Sequence, residues 1–301
     1  MAGQQKAKRQ FVGRGKGVLL LALPGLLWYL IFRYLPLAGI GLAFTDFGFT
    51  ANPKFIGLDN FVRLFKTSYF WRSLRNTLVI SLLNLLFYFP VPVILALAVN
   101  EVKKLRIKRM IQFIIYIPNF LSWAVVASLL VVILSPSSGI VNEIIKFFGG
   151  DPIYFMASTK WFRTVLVGSN IWKSAGYGSV IFLSTLASIN PELYEAAEVD
   201  GAGHIRKLWH ITLPSLRSTI ATVLLLNIST TLRVFEQIFV MQSAVVYSVS
   251  DVLQTLSYRE GLMNGDIGFA TALGLFISIV SGFLVFGTDK LSKLLFGESI
   301  L

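Results

Sequence analysis

Apolar residues along the chain gather into six runs separated by shorter polar stretches, at about 18–44, 74–99, 110–134, 163–187, 217–241 and 268–288. A helix needs roughly 20 largely apolar residues to cross the hydrocarbon of a bilayer, and each run reaches that length. The pattern predicts an all-α membrane protein of six transmembrane helices. Pro24, Pro36, Pro90, Pro92 and Pro118 lie within or at the edges of these runs. Proline breaks a helix in water but is tolerated in a membrane, where neighbouring helices re-satisfy the freed carbonyls, so these residues predict kinks.

Composition and charge agree with this pattern. The 301 residues are 55% hydrophobic and 14% charged, with a mean hydropathy of +0.70. That apolar share exceeds the usage of an ordinary soluble domain. Lys6, Lys8, Arg9, Arg14 and Lys16 precede the first run, which is too long for a secretory signal and lacks a small-residue cleavage site, so it reads as an anchor. Basic residues crowd alternate flanks: that leading group, then Lys103, Lys104, Arg106, Lys108 and Arg109, then Arg206, Lys207 and Arg217, then Lys290 and Lys293. The other flanks are longer and poorer in them. The positive-inside rule then predicts a basic cytoplasmic tail over residues 1–17 and both termini in the cytoplasm. The net charge of +12 is a topology signal; its dispersal over membrane flanks argues against nucleic acid as a partner. No cysteine is present, which excludes disulfides and thiolate metal sites.

One stretch interrupts the apolar pattern with a soluble-looking segment, about 188–216. Asn190 is set to cap a helix starting at Pro191, Glu192 and Glu195 put negative charge near its positive end, and Gly201 supplies a left-handed stop. About ten residues are too few for a helix stable alone. With Ala196, Ala197 and Val199 among carboxylates, and Leu208 and Trp209 able to fill an apolar pocket, the segment reads as a knob held out for a soluble partner.

The spacing Glu195-Ala196-Ala197, three residues, Gly201-Ala202, then Ile211-Thr212-Leu213-Pro214 resembles the coupling loop of membrane subunits of binding-protein-dependent ABC importers. Trp172-Lys173 with Gly176 and Gly178, Phe235-Glu236-Gln237-Ile238, Asp251-Val252-Leu253 and Gly268 to Phe276 extend the likeness toward the sugar-importing branch. Many sugar permeases carry Gly-Gly-Pro after the fifth helix, where this chain reads Gln242-Ser243-Ala244-Val245-Val246-Tyr247. That departure is similar to the branch paired with lipoprotein-type binding proteins for oligosaccharides. The resemblance implies a type I importer-like permease domain over 18–301, with Glu195, Ala196, Ala197, Asp200, Gly201, Ala202, Leu208, Trp209 and Pro214 coupling it to an ATPase. Two short loop helices, about Pro191 to Asp200 and His204 to Ile211, would enter a groove of that ATPase. It further implies a second homologous permease, two nucleotide-binding ATPase subunits carrying ATP and magnesium, an extracellular or periplasmic solute-binding protein received by the outer loops at about 45–73, 135–162 and 243–267, and residence in the bacterial plasma membrane.

The chain's own chemistry is sparse. Gly13-Arg14-Gly15-Lys16-Gly17 lacks the spacing and hydroxyl of a phosphate-cradling loop, so any ATP hydrolysis must come from another polypeptide. His204 and His210 are six apart, on different faces of a helix with no third ligand, and read as exposed loop residues. No nucleophile motif stands out, so the chain is read as no enzyme and as holding no cofactor. Ionisable residues inside the apolar runs are costly and therefore candidates for function: Arg33, Lys173, Arg233 and Glu236. Arg33 reads as an interfacial anchor. Arg233 and Glu236, three apart, would share a helical face and pair. Trp172, Lys173, Tyr177, Asn227, Thr231, Arg233, Glu236 and Gln237 supply the aromatic faces and polar groups that a sugar pathway needs. Lys173 with Arg233 would favour an acidic oligosaccharide. The alternatives are an ion-coupled secondary transporter, for which only Glu236 offers an intramembrane acid, and a membrane subunit that transports nothing.

Overall fold

The computed structural model describes residue 17 and residues 20–49 and 53–296. The basic tail therefore lies outside the described residues except for Gly17. Helices carry most of the described chain: α1 (Leu20–Phe44), α2 (Asp59–Lys66), α3 (Ser68–Asn100), α4 (Leu105–Phe120), α5 (Trp123–Ile133), α6 (Ile140–Phe147), α7 (Phe162–Ser188), α8 (Glu192–Val199), α9 (His204–Ser215), α10 (Arg217–Thr230), α11 (Glu236–Met241), α12 (Leu253–Tyr258) and α13 (Ile267–Phe296). Extended pairing among the described residues amounts to two isolated bridges, Thr45 with Phe55 and Gly48 with Asp266.

By length and apolarity α1, α3 and α13 are single membrane spans. Two of the six expected spans are corrected. The run at 110–134 bends by 99° between α4 and α5, where Pro118 sits in a tight turn over Ile117–Phe120. Pro118 can give no N–H to the turn before it, and the Asn119 carbonyl is taken up by the Lys173 ammonium at 2.9 Å. The run at 217–241 stops at Thr230 and resumes at Glu236. Its sequence supplies the reason. Asn227 donates to the Val223 carbonyl at 2.8 Å, Ser229 to Leu226 at 2.7 Å and Thr230 to Asn227 at 3.0 Å, so side chains compete with backbone N–H groups for the last acceptors. Helix α7, 27 residues long, could span by length alone but carries Ser169, Asn170, Lys173 and Ser174 in its middle.

The chain divides into two compact units, one holding Met1–Leu64 with Glu260–Leu275 and the other Phe65–Arg259 with Phe276–Leu301. In the first, residues 20–38 of α1 are exposed throughout, as a helix surrounded by lipid would be. Asn60 is buried and donates to the Ala43 and Thr45 carbonyls at 2.9 and 2.8 Å, while Arg63 pairs with Asp266 and lies 4.5 Å from the Phe269 ring centre.

The second unit has two apolar cores. One gathers Ile80, Phe162, Leu166, Ile238, Met241, Val246 and Val252; the other gathers Ala96, Phe182, Leu186 and Leu216. A Cβ at Gly176 would collide with the Ile115 carbonyl, so glycine is what lets α7 lie against α4. Asp251, fully buried, receives two bonds from Arg259 at 3.0 and 2.8 Å, with further donors from Ser73 at 3.2 Å and Thr255 at 2.8 Å. The network continues through Asn76, which donates to the Asp251 carbonyl at 3.0 Å and accepts from Arg163 at 2.8 Å. Breaking a buried pair by removing one partner strands the other, so Asp251→Ala is expected to cost about 3 kcal/mol. Thermal unfolding of the detergent-solubilised protein would show it as a lowered midpoint, with Asp251→Asn intermediate; an unchanged midpoint for Asp251→Ala would remove the network from the stabilising contacts.

Candidate functional site

Two places concentrate polar chemistry. The first is the hairpin of α8 and α9. The Asn190 carboxamide oxygen accepts from the Glu192 N–H at 3.1 Å, capping α8, and the helix ends with Gly201 N–H on the Glu198 carbonyl at 3.0 Å and Ala202 N–H on Ala197 at 2.8 Å. This paired closure requires a left-handed residue at its turn, and Gly201 has φ +72°. Helix α9 runs four residues beyond the expected Ile211. Pro214 lies in its last turn behind a wide turn at Leu208–Thr212, and the axis bends by 55° into α10.

The two helices are tied by Lys207 to Glu198 at 2.6 Å and by Tyr194 to Thr212 at 3.0 Å. Glu198 is thus engaged within the chain, whereas no ion pair is seen at Glu195 among the described residues, and both carboxylates are exposed. The hydrogen bond from Lys207, helped by its charge, holds the Glu198 carboxyl below the usual carboxylate range. Its contribution is therefore complete above the ordinary carboxylate pKa and is lost as pH falls through the depressed one.

What the hairpin presents is apolar. Val199 is 89% exposed, Ile205 70% and Trp209 64%. Ala196, Asp200 and Gly201 are exposed beside them, and Ala197, Ala202, Leu208 and Pro214 are half-buried. Ile205 and Leu193 were not singled out by sequence, although each is a large apolar residue in an otherwise polar loop and so carries the signal that marked Val199.

The second place is a cleft of about 320 Å³ in the membrane-spanning part of the second unit. Its walls come from the α3 wide turn Asn84–Tyr88, from Trp123 at the start of α5, from Asn170 on α7, and from the break between α10 and α11. Pro90, which has no N–H, follows that wide turn and favours it. Asn170 donates to the Asn84 oxygen at 2.9 Å, fixing both amides at the wall. Arg233 is the one cation and Glu236 the one acid among the described lining residues, and both are exposed.

The structure sorts the candidate pathway residues. Asn227, Arg233, Glu236 and Gln237 line the cleft, and Gln237 is also buried, donating to the Leu166 carbonyl at 2.7 Å and the Ser169 hydroxyl at 3.0 Å. Arg233 and Glu236 do not share a helical face as expected. The helix break separates them, and no ion pair joins them among the described residues. Thr231 lies in the intervening turn, its side chain outside the description. Trp172, Lys173 and Tyr177 are not among the lining residues. Lys173 is buried behind the wall, bonded to the Asn119 carbonyl and 5.3 Å from the centre of the Trp123 ring that faces the cleft. Tyr177 packs edge-on to Tyr116 and Phe120 at 6.5 and 6.4 Å, and Trp172 is exposed on the same helix. Sequence reasoning passed over Asn84, Tyr88, Trp123 and Asn170. The two asparagines were detectable as amides inside apolar runs.

Membrane helices around a polar cleft, joined to a capped hairpin with an apolar face, are the architecture of a permease subunit. The chain belongs to the binding-protein-dependent transport system inner membrane components, whose family model matches residues 88–293. It is 44% identical to Protein LplB of Bacillus subtilis (strain 168) over 93% of this chain and 89% of that one. It is 40% identical to the polygalacturonan/rhamnogalacturonan transport system permease protein YteP of the same organism, over 98% and 94%. Among solved structures it superposes with a TM-score of 0.90 and 38% identity on a chain of a bacterial alginate ABC transporter in complex with alginate pentasaccharide-bound periplasmic protein, covering 97% and 99%. The protein is a multi-pass inner-membrane permease component and not an enzyme; ATP hydrolysis belongs to separate subunits.

Proposed function

We propose that this chain forms half of the pathway of an ATP-driven importer for acidic oligosaccharides. The observation that carries this reading is the cleft itself. Arg233 stands among the amides of Asn84, Asn170 and Asn227 and the aromatic rings of Tyr88, Phe89, Trp123 and Phe235, without an ion pair to the nearby Glu236. Aromatic faces stack on pyranose rings, amides bond hydroxyls, and a guanidinium takes a carboxylate in two parallel bonds. Lys173, bound behind the wall, contributes by holding Trp123 rather than by meeting substrate. One similar protein is named as a polygalacturonan/rhamnogalacturonan transport system permease and one similar structure is of a transporter involved in the import of the acidic polysaccharide alginate, which supports the same substrate class here.

In this reading a second permease completes the pathway. Two ATPase subunits, holding ATP and magnesium, grip the α8–α9 hairpin, and an extracellular solute-binding protein delivers the oligosaccharide. Both termini and the hairpin face the cytoplasm. Closure of the ATPase pair moves the hairpin, and α10, continuous with it through the bend at Leu216, carries that movement to the broken helix at the cleft. The test is ATP hydrolysis by the reconstituted complex with its binding protein. Unsaturated oligogalacturonates or oligoalginates are expected to stimulate hydrolysis and neutral malto-oligosaccharides are not. Stimulation by the neutral set alone would overturn the acidic assignment.

A further inference from the structure

Helix α6 is a small element with a conspicuous outer face. Ile140, Ile144, Phe147 and Phe148 recur at helical spacing and are all exposed, Phe147 by 85% and Phe148 by 81%. Its other face is anchored. Asn142 is completely buried; its amide donates to the carbonyls of Leu134, Ser135 and Ile153 at 3.1, 3.0 and 3.0 Å, and its oxygen accepts from the Ile153 N–H at 2.7 Å. Every polar atom of that side chain is used, and the bonds join α6 to the end of α5 on one side and to the approach to α7 on the other. Gly149 N–H on the Lys146 carbonyl and Gly150 N–H on Ile145, both at 2.9 Å, close the helix. An exposed apolar face on a helix held this firmly is not a fraying terminus.

We infer that α6 is an interfacial helix whose Ile140–Phe148 face is seated in the outer leaflet of the bilayer. Three observations select lipid over a soluble protein. Asn142 bonds α6 to the carbonyls of Leu134 and Ser135 just past the end of α5, whose last residues Leu129, Val131, Val132 and Ile133 are themselves exposed and apolar. The two charges on the helix, Glu143 and Lys146, pair with each other at 2.9 Å and leave the helix without net charge for a docking partner to read. On the far side the chain passes through Lys160 and Trp161, the ammonium 6.0 Å from the ring centre, a residue pair at home at the membrane–water boundary, before α7 begins. A patch of two phenylalanines and two isoleucines is large for a surface left in water between visits of a binding protein. Seated in lipid, such a face penetrates about 5–10 Å into the boundary between headgroups and acyl chains. The helix would then set the height of the α5–α7 connection, and with it the Trp123 end of the cleft wall, against the bilayer.

The chain contains no cysteine, so single-cysteine variants carry one nitroxide label each. Ile144→Cys, Phe147→Cys and Glu143→Cys would be labelled in the full complex, reconstituted in vesicles of phosphatidylethanolamine and phosphatidylglycerol. Retained ATPase stimulation would verify folding of each variant. Labels at 144 and 147 are expected to collide several-fold more with oxygen, which partitions into lipid, than with a water-soluble nickel chelate, and the label at 143 the reverse. If the 147 label behaves like the 143 label, the inference is wrong. Protection of 147 only after the binding protein is added would assign the face to that protein, and low access to both reagents in the permease complex would assign it to the second permease; either result overturns the lipid assignment.

Discussion

Replacing Arg233 by glutamate is expected to reduce uptake of an acidic oligosaccharide on the order of 100-fold, because it sets a second carboxylate against each substrate carboxylate in a cleft that already holds Glu236. Like charges set against each other across a binding interface cost several kcal/mol, and 1.4 kcal/mol is tenfold. Arg233→Lys keeps the charge but not the planar fork and should lose less. Arg233 is exposed at the end of a helix break, so neither change should disturb insertion. Lys173→Met supplies the contrast. Lys173 supports the Asn119 carbonyl and the Trp123 ring, so its loss should lower thermal stability along with uptake, whereas Arg233→Glu should lower uptake at unchanged stability. Undiminished uptake of the acidic oligosaccharide by Arg233→Glu would remove Arg233 from substrate recognition.

The second large effect is expected at the hairpin. Gly201→Val should bring substrate-stimulated ATP hydrolysis down to the unstimulated level while the protein still inserts. Gly201 closes α8 at φ +72°, and a β-branched residue there is a backbone outlier. No atom lies within 4 Å of a Cβ built at this position, so the effect is not a clash but a shift of the backbone away from the left-handed region. That shift breaks the Gly201 to Glu198 and Ala202 to Ala197 bonds and turns α9 relative to α8, carrying Ile205 and Trp209 away from Val199. Gly201→Asn, which tolerates the left-handed conformation, should retain much of the coupling. Full stimulation in Gly201→Val would mean that the hairpin does not transmit the ATPase movement.

The hairpin was readable because its determinants are local. The Asn190 cap reaches two residues, the closure at Gly201 spans Ala197 to Ala202, and both are written in residue types that favour those conformations. The Lys207–Glu198 bridge was missed because it depends on how two short helices fold back, which the spacing of charges does not specify. At the cleft the apolar runs announced membrane helices but not their continuity. Asn227, Ser229 and Thr230 each have an acceptor in the preceding turn, yet whether such bonds end a helix depends on what else satisfies its backbone. The same holds at Pro118, where the ammonium of Lys173, 54 residues away in the chain, satisfies a carbonyl at the bend.

By itself the sequence determined that this chain belongs in a membrane, that it carries a capped hairpin, and that its ATPase is elsewhere, since hydropathy, capping and missing motifs are properties of short segments. Only the tertiary structure decided which polar residues share a cavity. Arg233 and Lys173 look equivalent as cations in apolar runs, but packing places one at the wall of the cleft and the other behind it. Asn84 and Asn170 become a pair only when α3 meets α7. The reason is physical: the cost of burying a charge or an amide is set by the partners that packing brings to it, and those partners lie tens of residues away along the chain.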